Sequence, residues 1–218
     1  MTGTLTQGTA NLAALWRPEA PVHVWYFCLD RWAMTAEHSP LELLGEEERQ
    51  RARSMSMLLQ RHRYMAAHAC MRQIVAAYCG VEPAALRYRY GAFGKPRLAD
   101  PAQARELAVN LAYAAGAAPA WAALAVSRRD EVGLALSPSA AAAPANADEA
   151  LVKLAWLKAN GQSYAASVKA VKFPMRDWFC ERLLLGAGLS AALVAAGAEA
   201  QVAVGLWTPR PRRQIAAA

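Results

Sequence analysis

Residues 90–98 read Tyr-Gly-Ala-Phe-Gly-Lys-Pro-Arg-Leu, with Gly94-Lys95-Pro96 at the centre. Residues 86–90 alternate in polarity, which predicts a short β-strand that leads into this segment. Because glycine and proline end regular structure, Lys95 is expected on a turn between two extended pieces of chain. Lysine side chains are common phosphate binders, so we interpret residues 90–98 as a phosphate-binding segment.

A long helical stretch precedes this segment. Residues 46–79 contain good helix formers and neither Gly nor Pro, which predicts one continuous helix. Gly80 ends the helix and Pro83 prevents its continuation. The buried face predicted from helical spacing comprises Met65, Ala69, Ile74, Ala77 and Tyr78. Before the helix, β-branched and aromatic residues predict a strand at residues 22–29.

Further strands and helices are predicted after the segment. Apolar runs bounded by turn residues predict strands at residues 107–114, 121–127, 132–136 and 202–207. Helices are predicted at residues 148–160, where Asp148 can cap the first turn, and at residues 175–185. Residues 137–147 are rich in Ala and Pro and predict a flexible linker. This order favours an α+β fold with antiparallel sheets.

The composition predicts a folded protein that does not cross a membrane. Hydrophobic residues make up 56% of the 218 residues, which allows a substantial core. No uncharged apolar run reaches ~18 residues, so no membrane span is expected. Residues 1–10 lack the pattern of a signal peptide, and we therefore expect a cytoplasmic location. The four cysteines and four histidines are scattered, which predicts free thiols and no shared metal site.

The net charge of +7 suits an anionic partner. Most of it comes from two groups of arginines: Arg49, Arg51, Arg53, Arg61, Arg63 and Arg72, and then Arg210, Arg212 and Arg213. Nucleotide phosphates, an acidic carrier protein and nucleic acid all remain open as partners. A solvated helix face is the alternative, because three glutamates lie at residues 46–48. Specific nucleic-acid binding ranks last, because neither interleaved aromatics nor a reading motif is present.

Four segments, taken in order, resemble the Sfp-type 4′-phosphopantetheinyl transferases. They are residues 90–98, then Asn-Leu-Ala-Tyr-Ala at 110–114, Gly-Leu-Ala-Leu-Ser at 133–137, and Lys-Leu-Ala-Trp-Leu-Lys at 153–158. No single segment is specific to this family, whereas the order and spacing of the segments together are fairly specific. The resemblance covers roughly residues 43–207. Members of that family transfer the phosphopantetheine arm of coenzyme A to a serine of a carrier protein.

The resemblance implies a pseudo-dimer of two similar α+β subdomains, with the coenzyme in the cleft between them. Residues 1–20 are expected to form a loose leader, and the resemblance then places an N-terminal subdomain at 21–128 and a C-terminal subdomain at 129–218. The linker at residues 137–147 lies within the second subdomain, where the family usually has a longer segment. The family also implies a monomer.

The acids that bind magnesium in the family are missing. Their places in the Gly-Val-Asp-Val-Glu and Lys-Glu-Ala-x-x-Lys motifs are taken by Ala135, Ser137 and Leu154. Because magnesium prefers carboxylate ligands, we predict no metal ligand and no catalytic residue, and magnesium is not expected. The family's Ser-His pair is Ala112-Tyr113 here. Nearby acids considered for a relocated site are Asp130, Glu131, Asp148 and Glu149.

The cationic residues of the family's coenzyme site are retained. By resemblance, Lys95 contacts the nucleotide end of coenzyme A and Arg63 reaches its 3′-phosphate. Lys153 and Lys158 match the two lysines of the helix motif, of which the second approaches the pyrophosphate. Tyr113 is a candidate for stacking on the base, for acid–base chemistry, or for filling the vacated cleft.

Two functional hypotheses follow from these residues. The first is a phosphopantetheinyl-transferase-like protein without metal-dependent transfer. It would bind an acyl or peptidyl carrier protein, coenzyme A, or both, in a polyketide, nonribosomal peptide or fatty acid pathway. The second is an active enzyme, either a divergent transferase or one with new chemistry on carrier-bound substrates. The missing acids favour the first, and the retained cations motivate the second.

Overall fold

The computed structural model describes residues 2–5, 21–31, 39–102, 107–114, 119–128, 131–139, 147–162, 177–197 and 199–209. Its helices are α1 (Pro40–Leu43), α2 (Glu46–Arg53), α3 (Leu58–Cys79) and α4 (Ala147–Ala159), with a 3-10 turn at Pro83–Ala85. Its strands are β1 (Thr2–Leu5), β2 (Val22–Cys28), β3 (Tyr88–Tyr90), β4 (Pro96–Leu98), β5 (Ala108–Tyr113), β6 (Trp121–Ser127), β7 (Val132–Pro138), β8 (Trp178–Leu185), β9 (Leu189–Ala196) and β10 (Val202–Leu206). The α+β prediction is confirmed.

Three sheets organise these strands. The largest has the order β1-β10-β2-β6-β5, in which β10 is parallel to β1 and β2 and the other pairs are antiparallel. Strands β3 and β4 form a hairpin whose turn carries Lys95. Strands β7, β9 and β8 form a second antiparallel sheet in that order.

The two halves of the chain repeat one topology. In the first half, β2 is followed by α3 and then by β5 and β6, which lie in the order β2-β6-β5. In the second half, β7 is followed by α4 and then by β8 and β9, in the order β7-β9-β8. In each half, the last of the three strands therefore lies in the middle. It pairs with the strand that precedes the helix and with the strand that follows it. This repeat agrees with two similar subdomains, whereas their boundary at residue 129 stays a prediction.

The elements stack in four layers. Helix α3 packs on one face of the large sheet, where Phe27, Met71 and Leu124 share a buried cluster. The opposite face meets the second sheet through residues such as Val24 and Leu193. Helix α4 covers the far side of that sheet. Because successive strand residues point to opposite faces, β2 contributes to the first two of these clusters.

The predicted helix at residues 46–79 is two helices, so that prediction is wrong. Helix α2 ends at Arg53 and α3 begins at Leu58. The break is stabilised locally, because the Arg61 guanidinium donates to the Met55 carbonyl at 2.7 and 3.2 Å. The break also lets Glu48 contact His68 and Arg72, which one continuous helix would hold about 30 Å or more away.

The helix predicted at residues 175–185 is also wrong, because Trp178–Leu185 is strand β8. Pairing with β9 along its whole length overrides the local helix propensity. The last residues of β8 alternate between exposed and buried, and Leu183 and Leu185 face the core. The remaining predicted strands and the helix α4 are confirmed, although α4 begins at Ala147, one residue before Asp148.

Two further predictions concern less regular parts of the chain. Within the leader expected at residues 1–20, residues 2–5 form β1, which pairs with β10. The rest of the leader lies outside the described residues. Strand β7 continues to Pro138, into the expected linker, of which residues 140–146 also lie outside them. No helix among those described is long and apolar enough to cross a bilayer.

Candidate functional site

A cleft of about 250 Å³ lies where the β3–β4 turn, β5, α3 and the end of α4 meet. Its polar lining includes two lysines, a histidine, a tyrosine and two amides: Lys95, Lys158, His68, Tyr113, Asn110 and Gln162. Phe93, Gly94, Pro96, Leu111 and Gly161 complete it. The structure therefore brings three of the five predicted binding residues, Lys95, Lys158 and Tyr113, to one cavity.

Lys95 is placed by the turn between β3 and β4. Gly94, at φ 78°, reverses the chain, and its N–H donates to the Gly91 carbonyl at 2.8 Å. The ammonium of Lys95 then donates to the Glu131 carboxylate and to the Ala159 carbonyl at the end of α4. Burial lowers the pKa of Lys95, although Glu131 opposes that shift. Lys95 therefore ties the turn to the second half of the chain.

Lys158 stands at the last turn of α4 and points toward β5 and β7. Its ammonium donates to the carbonyls of Leu111 at 2.8 Å and of Leu134 at 2.7 Å. Burial lowers the pKa of Lys158 to about 7, and the charge of Lys95 adds to the effect. Near neutral pH this lysine therefore exchanges between a cation that attracts anions and a neutral amine.

Asn110 and Tyr113 come from the strand that the resemblance singles out. The Asn110 side-chain oxygen accepts from the Leu134 N–H at 3.0 Å, so Asn110 joins β5 to β7. Tyr113 lines the cleft with 42% of its surface exposed. An aromatic ring in that position is accessible to a ligand.

Arg63 and Lys153 do not line this cleft. Two nitrogens of the Arg63 guanidinium donate to Asp30, Nε to Oδ1 at 2.8 Å and Nη2 to Oδ2 at 3.0 Å. Asp30 also accepts from the Ala120 N–H at 2.9 Å, so this pair joins α3 to the start of β6. Lys153 donates to Glu149 one turn earlier on α4, at 2.6 Å. Their predicted contacts with coenzyme A stay predictions.

Two of the three positions of the family's metal-binding acids lie in an apolar contact between α4 and β7, and the third, Ser137, is half-buried near the end of β7. Ala135 is buried with Ala155 and Ala159 of α4, and Leu154 packs against the same cluster. At Gly133 the two backbones nearly touch, because a Cβ built there would lie 1.9 Å from the Ala155 carbonyl oxygen. The described side chains of this cluster are apolar and supply no carboxylate to a cation.

The nearby acids do not rebuild a metal site within the described residues. Glu131 is engaged by Lys95 and Arg97, and Glu149 is exposed beside Lys153. No group of three or more His, Cys, Asp or Glu side chains lies in metal-binding proximity across the described ranges. Asp130 lies outside them. The residues present at the family position do not fit magnesium, which prefers several carboxylate and water oxygens.

Sequence reasoning missed a buried polar network beside the cleft, centred on Glu48. Its carboxylate accepts from Arg72 Nε at 2.6 Å, Tyr90 OH at 2.6 Å and Gly45 N–H at 2.7 Å, and contacts His68 Nδ1 at 3.0 Å. Burial raises the pKa of Glu48, but its contacts with His68, Arg72 and Tyr90 outweigh burial and bring the pKa to about 2. Glu48 is therefore ionised in the fold.

One sequence signal pointed to this network. Glu48 is the third residue of α2, where a glutamate can turn back to the N–H of the residue before the helix, as it does to Gly45. The contacts with His68 and Arg72 depend on the break between α2 and α3, which the sequence pattern did not show. His68 links this network to the cleft that it also lines.

The chain is thus an α+β protein whose cleft is lined by two lysines, and its described residues form no cluster of acids that could hold a metal. It is similar to a protein named phosphopantetheinyl transferase from Thraustochytrium sp., with 35% identity over 86 residues. The aligned part is 38% of this chain and 30% of that relative. The chain therefore spans less than a third of the relative it matches. No protein-family model matches the chain.

Proposed function

We propose that this protein is a phosphopantetheinyl-transferase-like binding protein without metal-dependent transfer. Its ligands would be coenzyme A, a carrier protein or both, in a polyketide, nonribosomal peptide or fatty acid pathway. The observation that carries the proposal is the apolar contact of Ala135 and Leu154, where the family has metal-binding acids. Without a cation, charge that develops on the pyrophosphate is not neutralised.

Binding of an anion needs no metal, and the cleft supports it. Lys158 and Lys95 bring two ammonium groups to its wall, and Tyr113 offers an accessible ring. Both lysines already donate to protein oxygens, and an ammonium has three N–H donors in all. Each lysine therefore retains a donor for a phosphate oxygen.

One observation favours the second candidate, an active enzyme with new chemistry on carrier-bound substrates. Burial lowers the pKa of Lys158 to about 7, so a share of this lysine is a neutral amine at physiological pH. A neutral amine in a cleft can accept a proton or attack a carbonyl carbon. The same lysine therefore supports binding in its charged form and chemistry in its neutral form.

The intact mass of an apo carrier protein separates these functions. The carrier is incubated with coenzyme A, magnesium and this protein, beside an active family member as control. We expect no gain in mass, while calorimetry detects coenzyme A binding to this protein. A gain of one phosphopantetheine would overturn the proposal. Mass changes of an acylated carrier would instead support the second candidate.

Restoring the acids tests the reason for inactivity. The triple variant Ala135→Asp, Ser137→Glu and Leu154→Glu places carboxylates at the family positions. Without metal it should be less stable, because Ala135 and Leu154 lie in apolar surroundings. Magnesium should then stabilise the variant by roughly 1 kcal/mol or more through binding to the folded state alone. Equal stabilisation of the wild-type protein would reveal a metal site elsewhere and contradict the proposal.

A further inference from the structure

An exposed apolar run lies where the predicted long helix is broken. Met57, Leu58 and Leu59 are consecutive and are exposed over 58%, 73% and 55% of their surfaces. Soluble proteins expose single apolar side chains routinely, whereas adjacent large ones indicate a contact surface. The run is held in place, because Arg61 fixes the preceding Met55 carbonyl by two hydrogen bonds.

Exposed cations lie beside this run in the chain. Arg51 and Arg53 are exposed on the last turn of α2, which ends four residues before Met57. Arg53 approaches Glu46 to 3.7 Å with both side chains largely exposed, so its charge remains available to a partner. An apolar centre flanked by arginines is the composition typical of a protein-binding surface.

We propose that this surface, formed by Arg51, Arg53, Met57, Leu58 and Leu59, docks an acidic face of a carrier protein, an inference that rests on the proposed function. Charge complementarity selects such a partner, because arginines meet carboxylates with bidentate geometry while the leucines cover an apolar spot. A second copy of this chain is disfavoured, because two faces of the same positive charge would meet.

The position of the surface fits that role. Leu58 begins α3, and His68, ten residues further along the same helix, lines the cleft. At ~1.5 Å per residue the surface lies about 15 Å from the cleft along the helix axis. A partner docked at Leu58 could therefore extend a flexible arm from its surface to the cleft without contacting the cleft walls itself.

The test compares two leucine sites of similar exposure. The double variant Leu58→Glu/Leu59→Glu places carboxylates in the surface, and Leu184→Glu on β8 is the matched control, because Leu184 is 76% exposed. Binding of an acidic apo acyl carrier protein is measured by calorimetry at low and high salt, and coenzyme A binding is measured separately. We expect carrier affinity to fall at least tenfold in the double variant, to be unchanged in the control, and to weaken with salt. Coenzyme A affinity should be the same in all three proteins.

Other results would overturn the inference in distinguishable ways. If the double variant binds the carrier as well as the wild type does, this surface is not the docking site, but the proposed function is not contradicted. If none of the three proteins binds the carrier, both the docking role of this surface and carrier binding as part of the proposed function are rejected. Loss in the double variant of binding to anionic lipid vesicles, or of a wild-type dimer, would assign the surface to a membrane or to a second copy.

Discussion

Two of the helix contacts in this fold, one in each half of the chain, differ in whether they bury a charge. Where α2 meets α3, a buried carboxylate, Glu48, is surrounded by an arginine, a histidine, a tyrosine and a backbone N–H. Where α4 meets β7, the buried residues are alanines around Gly133, and the backbones approach to contact distance. The first contact is built on a charge and the second excludes one.

This difference indicates which kind of buried acid a fold can do without. A buried carboxylate that holds two helices together cannot be removed without leaving its donors unpaired. Acids that serve only a bound cation have no such structural role, and small apolar residues can replace them and tighten the contact. In this chain, buried charge therefore lies where it supports the fold, at Glu48, whereas the contact around Ala135 and Leu154 is apolar.

The largest effect is expected at Gly133. The substitution Gly133→Val would place a Cβ 1.9 Å from the Ala155 carbonyl oxygen, which is backbone and cannot move without displacing α4. We expect a loss of about 4 kcal/mol or more in the free energy of unfolding, measured by chemical denaturation. Gly91→Ala is the control, because its Cβ would meet only the Lys95 carbonyl at 3.8 Å. Equal stability of the two variants would show that α4 does not pack closely on β7.

The second effect tests the charged contact. The substitution Glu48→Gln keeps the shape of the side chain but removes the negative charge beside Arg72. Breaking a buried ion pair leaves an uncompensated charge, so we expect a loss of about 3 kcal/mol in the free energy of unfolding. Retention of wild-type stability would mean that the network is dispensable and that the two contacts do not differ as described.

Acid provides an independent measure of the same carboxylate. The pKa of Glu48 is about 2 in the fold against an ordinary value of 4.5. Its contribution is therefore present above pH 4.5 and is lost as pH falls toward about 2. Buried His23, whose pKa burial lowers to about 4, also destabilises the fold in acid. It does so equally in the wild type and in Glu48→Gln, so the difference between their pH profiles reports Glu48 together with its contact to His68.

Local patterns predicted most of the strands and missed the contacts that depend on distant residues. Alternation and turn residues were sufficient for β2, β5, β6, β7 and β10. They failed for β8, because pairing with β9 decides the structure of residues 178–185. They also failed at residues 54–57, where a helix-compatible sequence breaks so that Glu48 can meet residues of α3.

The candidate site was predictable in part for the same reason. Lys95, Tyr113 and Lys158 were found because each belongs to a segment whose order resembles a known family. The hydrogen-bond partners of the two lysines could not be predicted in this way, because Glu131, Leu111 and Leu134 come together only when the two halves pack. His68 was dismissed as a metal ligand, and its place at the cleft depends on the tertiary position of α3.

The smallest effect concerns the cleft between the two contacts, and it tests whether Lys158 acts as a cation there. Because burial lowers the pKa of Lys158 to about 7, its ammonium form dominates below pH 7 and is lost above it. Coenzyme A is an anion, so its affinity in the wild type should fall several-fold between about pH 6 and pH 8. Lys158→Met should bind roughly tenfold more weakly and lose this part of the pH dependence.

Lys153→Met is the matched control on the same helix, because Lys153 pairs with Glu149 and does not line the cleft. The phosphates of coenzyme A also ionise in this pH range. Because this ionisation belongs to the ligand, it changes the measured affinity in the same way for all three proteins. Parallel pH profiles for the wild type and Lys158→Met would therefore show that Lys158 only bridges β5 and β7, and the cleft would then resemble the apolar contact more than the charged one.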